Sequence, residues 1–273
     1  MRASGRQLLA TVEIPVDLET VLADAWEETQ RVPGHLTEKE ARFLGLLAAC
    51  VPASGAIVEI GSFKGRSTVM LAKVASHYGN GPVVAIDPHK SDILFNLEAD
   101  PEASSYQDFL KHIRAAGVSD HVESHVAQSK EVAKSWNRPI RVLWIDGDHS
   151  YEGAKHDLDG FFPHVEPFGV VAFHDALNVF PGPIRVFVED VLGSDRFGPA
   201  GFVHSIAWAQ YRPEEGAAFR DARSALAEKA SRLLPFVNTG KELEGLAKRR
   251  YKVRRYLVPH AAISARKWAS LVK

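Results

Sequence analysis

The densest group of reactive side chains, Asp146-Gly147-Asp148-His149, directly follows an apolar run, and a second group, His174-Asp175, follows the next one. Carboxylate oxygens are the ligands that Mg²⁺ and Mn²⁺ prefer, and an imidazole widens the choice towards Mn, Fe or Zn. An imidazole beside such a site can also accept the proton of a substrate hydroxyl. The groups therefore predict a divalent-metal site with an acid–base residue. The simpler alternative is that Asp148 or Ser150 caps the helix from Tyr151 and that His174 is a satisfied imidazole at the core edge.

A glycine turn also follows an apolar run, where the chain reads Glu59-Ile60-Gly61-Ser62-Phe63-Lys64-Gly65-Arg66-Ser67-Thr68. Two glycines four residues apart let the backbone turn sharply and approach a ligand, with a helix N-terminus behind them. The middle glycine of the G-x-G-x-x-G dinucleotide motif is missing, which argues against a nicotinamide cofactor. Asp87 follows the next apolar run and could accept hydrogen bonds from two ribose hydroxyls. An ordinary strand-to-helix turn and a helix-capping Asp87 are the alternatives.

These groups need a scaffold that brings the ends of the apolar runs together. Continuous apolar strands that alternate with helical patterns predict a doubly wound, mostly parallel α/β sheet, which binds ligands at the carboxyl ends of its strands. We predict a last, antiparallel strand at Phe202–Gln210 and helices at 66–77, 105–116, 151–162 and 183–192. The predicted parallel strands are 56–60, 82–86, 121–126, 141–145 and 169–173.

Three regions follow from these patterns. Residues 1–54 form an N-terminal helical cover, in which Thr37-Glu38-Lys39-Glu40 is a capping box. Residues 55–212 form the ligand-binding core, and residues 213–273 form a C-terminal helical extension with a linker at 238–240.

Composition limits the function classes. The chain has 273 residues with 33 Lys+Arg against 34 Asp+Glu, and this balance predicts neither a nucleic-acid nor a membrane partner for the whole molecule. A single cysteine, Cys50, excludes an internal disulfide and a multi-cysteine zinc site. No apolar run is long enough for a membrane helix and no secretory signal is recognised, so we expect a cytoplasmic protein.

The charge is unevenly distributed, because residues 241–273 contain ten Lys/Arg and two Glu. On a helix over this run, Leu243, Leu246, Val253 and Leu257 predict an apolar stripe with a cationic opposite face. The stripe packs on its own domain or on a subunit partner, or it anchors the protein to an anionic substrate or lipid surface.

Taken in order, the motifs resemble those of class I S-adenosylmethionine-dependent methyltransferases over approximately residues 54–210. The resemblance is closer to the macrocin O-methyltransferase/cephalosporin-hydroxylase-like branch, whose better-understood members are metal-dependent sugar O-methyltransferases. It implies a seven-stranded Rossmann-like sheet. It rests on the glycine turn, Asp87, Ile145–Tyr151 and Phe173-His174-Asp175.

The resemblance implies a role for each matching residue. The turn would wrap the methionine part of the cofactor, Asp87 would bind the ribose, and Gln128-Ser129 would border the adenine. His149 would be the general base, and Asp146, His174 and Asp175 would hold the metal, which would be Mg²⁺ or, as the alternative, Mn²⁺. Since family members tend to have a carboxylate where this chain has His174, a site of Asp146, Asp148 and Asp175 stays open. The implied cofactor-binding residues are Glu59, Gly61, Ser62, Phe63, Gly65, Ser67, Asp87, Gln128 and Ser129.

The resulting hypothesis is metal-assisted O-methylation of a hydroxyl on a sugar, glycoside or polyol-like natural product, by a chain that we expect to form a homo-oligomer. A metal-dependent hydroxylase is a rival because of His149 and His174, but it leaves the glycine turn unexplained. A non-catalytic cofactor-binding scaffold is another rival, but such a protein needs no metal and base.

Overall fold

The protein is a seven-stranded sheet with helices on both faces, described by a computed structural model over residues 12–90, 104–237 and 243–272. The order across the sheet is β3-β2-β1-β4-β5-β7-β6, and only β7 runs opposite to the other strands. This confirms the predicted doubly wound, mostly parallel sheet. The strands are β1 Ala56–Ile60, β2 Val83–Ile86, β3 Val122–His125, β4 Ile140–Ile145, β5 Val165–Phe173, β6 Phe197–Val203 and β7 Ile206–Tyr211.

One strand prediction is wrong. The segment Phe202–Gln210 is not a single strand, because β6 ends at Val203 and the antiparallel β7 begins at Ile206. His204 and Ser205 form the turn between them, with His204 in the left-handed region at φ 54°. The apolar pattern continues through both strands because both are buried, so only this polar pair marks the hairpin.

The helices lie close to where the sequence predicts them. The predicted helix at 183–192 begins earlier, at Pro181, and widens into a π-helix over Phe187–Leu192. The α-helices are α1 Leu18–Thr29, α2 Glu38–Cys50, α3 Arg66–His77, α4 Tyr106–Ala115, α5 Ser129–Ala133, α6 Tyr151–Phe161, α7 Pro181–Val186, α8 Arg220–Ser231, α9 Leu234–Val237, α10 Gly245–Leu257 and α11 Ala265–Leu271.

Alternate strand residues divide the core into two layers. Ile57 and Trp144 point to the layer covered by α1, α2, α3, α4 and α11, whereas Val58 and Ile145 point to the layer covered by α6 to α10. Trp268 of α11 is fully buried against Phe43, and its indole N–H donates to the Cys50 carbonyl at 3.1 Å. The chain's last helix therefore packs beside its first ones.

Helix α10 packs differently from the prediction. Leu246, Val253 and Leu257 are exposed and share one side of the helix with Arg249 and Arg250, so the apolar stripe and the cationic face are not opposite each other. Arginines lie beside the exposed apolar residues of α10, and the buried side chain of the helix is Tyr251. The predicted linker at 238–240 lies outside the described residues. Within the described ranges, the helices are all too short or too polar to cross a bilayer.

Candidate active site

The glycine turn lies between β1 and α3, at the centre of the sheet. Gly61 has a φ of +86°, and a Cβ on it would lie 2.1 Å from the carbonyl oxygen of Asp146. Only glycine fits this close approach, which joins the turn to the end of β4. Gly65 has a φ of +90° and begins α3, so free backbone N–H groups face the turn.

The base of the turn is acidic. Glu59 is fully buried and accepts a hydrogen bond from the Thr68 hydroxyl, while its Oε1 has no hydrogen-bond partner among the described residues. Burial raises the pKa of Glu59 to about 7. Ser62 and Ser67 are also buried, and Phe63 is about half exposed. An unpaired buried carboxylate oxygen beside a glycine turn fits the ammonium group of a methionine-type cofactor.

Asp87 braces the turn. Its Oδ2 accepts the backbone N–H groups of Ser62 and Phe63 at 2.8 and 2.7 Å, and its Oδ1 accepts that of His89 at 2.6 Å. The side chain predicted to bind a ribose therefore also holds the backbone of the loop in place. A carboxylate has about four acceptor positions, which leaves capacity for a ligand hydroxyl.

The predicted adenine border lies at the end of β3. Gln128 is exposed and precedes α5. Ser129 turns towards α6, where its hydroxyl donates to Asp157 at 2.5 Å. Burial raises the pKa of Asp157 to about 6. The Ser129 hydroxyl is thus already committed within the protein.

A cluster of potential metal ligands stands at the ends of β4 and β5. Asp146, His149 and Asp175 each present a ligand atom, and these atoms all lie within 4.8 Å of one another. Asp175 has a left-handed backbone at φ 53° and accepts a hydrogen bond from Asn178. Two carboxylates with one imidazole suit a divalent cation such as Mn²⁺ or Mg²⁺.

The cluster includes His149, which the resemblance implied as the general base, and does not include His174, which it implied as a ligand. The His174 side chain is buried, and its Nδ1 lies 3.0 Å from Asp146 Oδ1 and 3.8 Å from Asp175 Oδ1. Asp148 does not join the cluster either. It accepts hydrogen bonds from the Ser150 N–H and hydroxyl at 2.8 and 2.9 Å, and Ser150 is the residue that caps α6 by accepting the Gly153 N–H at 3.0 Å.

His174 also faces a third carboxylate, that of Glu40. On its other side, Nε2 lies 3.9 Å from Oε2 of Glu40, which is itself buried at the start of α2. Burial disfavours the charged imidazole, but the charge and hydrogen bond of Asp146, with Glu40, outweigh it and raise the His174 pKa well above its ordinary value.

Neighbouring charges and hydrogen bonds also shift the pKa values of Asp146 and His149 in the cluster. Burial opposes ionisation of Asp146, but the positive charge of His174 and the hydrogen bond from His149 prevail and lower its pKa to about 2. Burial also opposes protonation of His149, yet the hydrogen bond to Asp146 at 3.3 Å raises its pKa. Asp146 is thus an ionised acceptor at any ordinary pH.

Several residues of this region were missed by the sequence analysis. Glu40 was recognised as part of a capping box, and that box is present, but its long-range contact with His174 left no local signal. Phe180, whose ring centroid lies 4.6 Å from that of His149, carries no motif, and Arg255 was recognised only as part of the basic run of residues 241–273. Only tertiary packing brings these side chains together.

Known proteins share the domain and the fold. Residues 58–176 match the family Methyltransf_24, described as a methyltransferase domain. The O-methyltransferase NovP is 15% identical with a TM-score of 0.58, over 71% of this chain and 98% of its own. The O-methyltransferase TomG of Streptomyces achromogenes, solved with S-adenosylmethionine, is 20% identical with a TM-score of 0.50, over 75% of this chain and 92% of its own. The O-methyltransferase of Bacillus cereus is 19% identical with a TM-score of 0.50, over 74% of this chain and 94% of its own.

The domain match and the shared fold agree with the motifs from which the chain was recognised as a methyltransferase. That recognition, the fold and the enzyme class are confirmed. The chain carries a methyltransferase domain over residues 58–176 and has the fold of solved O-methyltransferases such as TomG, whose structure contains S-adenosylmethionine.

Proposed function

We propose that the protein transfers a methyl group from S-adenosylmethionine to a hydroxyl of a sugar, glycoside or polyol-like natural product, assisted by Mg²⁺ or Mn²⁺. One observation carries the proposal. The Asp146, His149 and Asp175 cluster is in backbone contact with the glycine turn through the close approach of Gly61 to Asp146. The donor site and the ligand cluster are therefore adjacent, as methyl transfer to a metal-bound hydroxyl requires.

The reaction type has further support. NovP, TomG and the Bacillus cereus protein, which share this fold, are each described as an O-methyltransferase. The preference for a sugar-like acceptor rests on the resemblance of the motifs to sugar O-methyltransferases.

Each group of residues has a proposed task. The Gly61–Gly65 turn binds the methionine part of the donor, with Glu59 against its ammonium group, and Asp87 binds the ribose. Asp146 and Asp175 would hold a divalent cation, which would lower the pKa of an acceptor hydroxyl. In this assignment the two carboxylates are the ligands and the His149 imidazole is free to accept the hydroxyl proton. The acceptor oxygen takes the methyl group, and S-adenosylhomocysteine is released. His174 keeps Asp146 ionised and in position.

The first experiment is calorimetric titration of S-adenosylmethionine into the protein with Mg²⁺ or Mn²⁺ and then with a chelator. Micromolar binding supports the donor site, and its absence in both conditions refutes the function. A screen of glycosides for methyl transfer follows, with Asp146→Asn and His149→Ala expected to lose about 100-fold or more of the rate. His156→Ala is the control because His156 is exposed on α6. Near-normal turnover in both site variants would refute the mechanism.

We also propose that α10 contacts an anionic lipid surface, since Leu246 and Val253 are exposed beside Arg249 and Arg250. Salt-sensitive co-sedimentation with anionic but not neutral vesicles would support this contact, and equal binding to both would refute it. Light scattering without lipid tests the proposed homo-oligomer. The buried free thiol of Cys50 agrees with the proposed cytoplasmic location.

A further inference from the structure

A cavity of about 400 Å³ opens beside the metal-ligand cluster. It shares Asp175 with the cluster, and the ring centroid of Phe180 in its wall lies 4.6 Å from that of His149. The size is within the range of small-molecule pockets. Because the cavity borders the proposed reacting groups, it is a candidate site for the acceptor of the proposed reaction.

Helix α10 supplies one wall of this cavity. Tyr251 is buried, and its hydroxyl lies 2.8 Å from the carbonyl oxygens of both Leu177 and Asn178 in the segment that follows β5. Arg255 is one helical turn further along the same face and lines the cavity. The tyrosine therefore fixes the helix so that one arginine of the basic run points inwards.

The guanidinium of Arg255 is not committed elsewhere. It forms no salt bridge within the described ranges, and its buried Nε has no hydrogen-bond partner there. By contrast, Arg223 and Arg232 bond to a carbonyl or a carboxylate. A buried guanidinium nitrogen without a partner indicates a missing acceptor.

The other charges in the wall are already compensated. Both oxygens of Glu40 accept protein hydrogen bonds, from Thr37 on one side and Ser205 on the other, and the carboxylate faces the His174 imidazolium. Burial lowers the pKa of His204, which favours its neutral form. Apart from Asp175 of the cluster, Arg255 is thus the uncompensated charge among the described lining residues.

We infer that Arg255 recognises an anionic group on the acceptor, so that the acceptor is an acidic sugar or polyol bearing a carboxylate, phosphate or sulfate. The inference rests on the proposed function, because it assumes that the cavity holds the acceptor. A guanidinium matches these anions with two parallel hydrogen bonds. The anion at Arg255 leaves the hydroxyls of the same molecule free to reach Asp175.

The first test requires no methyl transfer. Phenylglyoxal modification of Arg255 is followed by peptide mass spectrometry, at constant ionic strength, with glucose, glucuronate, glucose 6-phosphate or glucose 6-sulfate present. We expect at least one acidic sugar to slow the modification of Arg255 about fivefold or more, whereas glucose does not. The exposed Arg250 on the outer side of α10 is the control. The three acids separate carboxylate, phosphate and sulfate recognition, and equal effects on both arginines overturn the inference.

The second test uses variants with the acidic acceptors that the transfer assay accepts. Arg255→Gln should raise KM by about 10- to 100-fold for an acidic acceptor with little change in kcat, and should leave neutral acceptors unaffected. Arg255→Lys should recover part of the loss. Lys252→Gln removes an exposed charge from the same helix and should have no effect.

Calorimetry with S-adenosylmethionine on the same variants separates the two proposals. Normal donor binding together with equal turnover of neutral and acidic acceptors by Arg255→Gln overturns the anion site and leaves the methyltransferase function standing. If the wild-type protein does not bind S-adenosylmethionine, the proposed function itself is refuted.

Discussion

Replacing Glu40 by Gln should destabilise the protein more than the same change at Glu38, the exposed glutamate at the start of α2. Glu40 accepts hydrogen bonds from the Thr37 N–H and hydroxyl at 3.0 and 2.7 Å and from the Ser205 N–H at 3.1 Å, and it faces the buried His174. In Gln an NH2 group replaces one of the two acceptor oxygens, so its N–H groups would face the donors of Thr37 or Ser205. It would also leave the His174 imidazolium with Asp146 and Asp175 as its remaining counter-charges.

The expected size follows from that arrangement. Removing one partner of a buried ion pair costs about 3–5 kcal/mol, and the remaining carboxylates at 3.0 and 3.8 Å from His174 should hold the loss near the lower end. For a chain of this length, about 3 kcal/mol corresponds to a fall in Tm of roughly 6–12 °C. Glu38 is exposed and pairs with Arg42 on the surface. Its change to Gln should therefore lower the free energy of unfolding by no more than about 1 kcal/mol.

The loss should depend on pH in a defined direction. Burial opposes the ionisation of Glu40. The hydrogen bonds from His174 and Ser205 and the positive charge of His174 prevail, and they lower the Glu40 pKa well below its ordinary value of 4.5. A lowered carboxyl pKa stabilises the folded state above the unfolded pKa, and that stability is lost as the pH falls. The difference between wild type and Glu40→Gln should therefore shrink by about 1.4 kcal/mol for each pH unit below 4.5.

The opposite sign applies to His174. Its raised pKa means that its contribution is complete below pH 6.5 and is lost as the pH rises through the folded value. The comparison is therefore made between pH 3 and 6.5, by urea denaturation of wild type, Glu40→Gln and Glu38→Gln. A loss in Glu40→Gln no larger than in Glu38→Gln, or one that does not change with pH, would contradict the reasoning.

Two further outcomes are expected at the glycine turn. Gly61→Ala should lower the free energy of unfolding by roughly 3 kcal/mol or more and abolish donor binding, because the new Cβ would lie 2.1 Å from the Asp146 carbonyl oxygen. Gly79 has a φ of +64° and no atom within 4 Å of the position of a Cβ, so Gly79→Ala should cost only about 1 kcal/mol. Equal melting temperatures for the two variants would speak against this. Since the pKa of Glu59 is raised to about 7, donor binding at pH 7 should release about half a proton. Calorimetry in buffers of different ionisation enthalpy measures this release, which Glu59→Gln should lack; buffer-independent heats in the wild type would exclude an ammonium beside Glu59.

The sequence by itself determined the scaffold and the neighbourhood of the site. Continuous apolar runs such as Ala56–Ile60 and Ile140–Ile145 could only be strands buried on both faces, which implied a parallel sheet. In such a sheet the carboxyl ends of the central strands meet at one edge, so Gly61, Asp146 and Asp175 had to lie close together. These inferences needed only local patterns and topology.

The direction of each side chain was decided by the tertiary structure. Which histidine joins Asp146 and Asp175 depends on loop backbone angles such as the left-handed Asp175, and no local pattern encodes them. His174 is drawn to Glu40, more than a hundred residues earlier in the chain, and Arg255 reaches the cavity only because Tyr251 fixes α10. Contacts between distant segments arise when buried polar groups must find partners, and that requirement is met only after the helices have packed on the sheet.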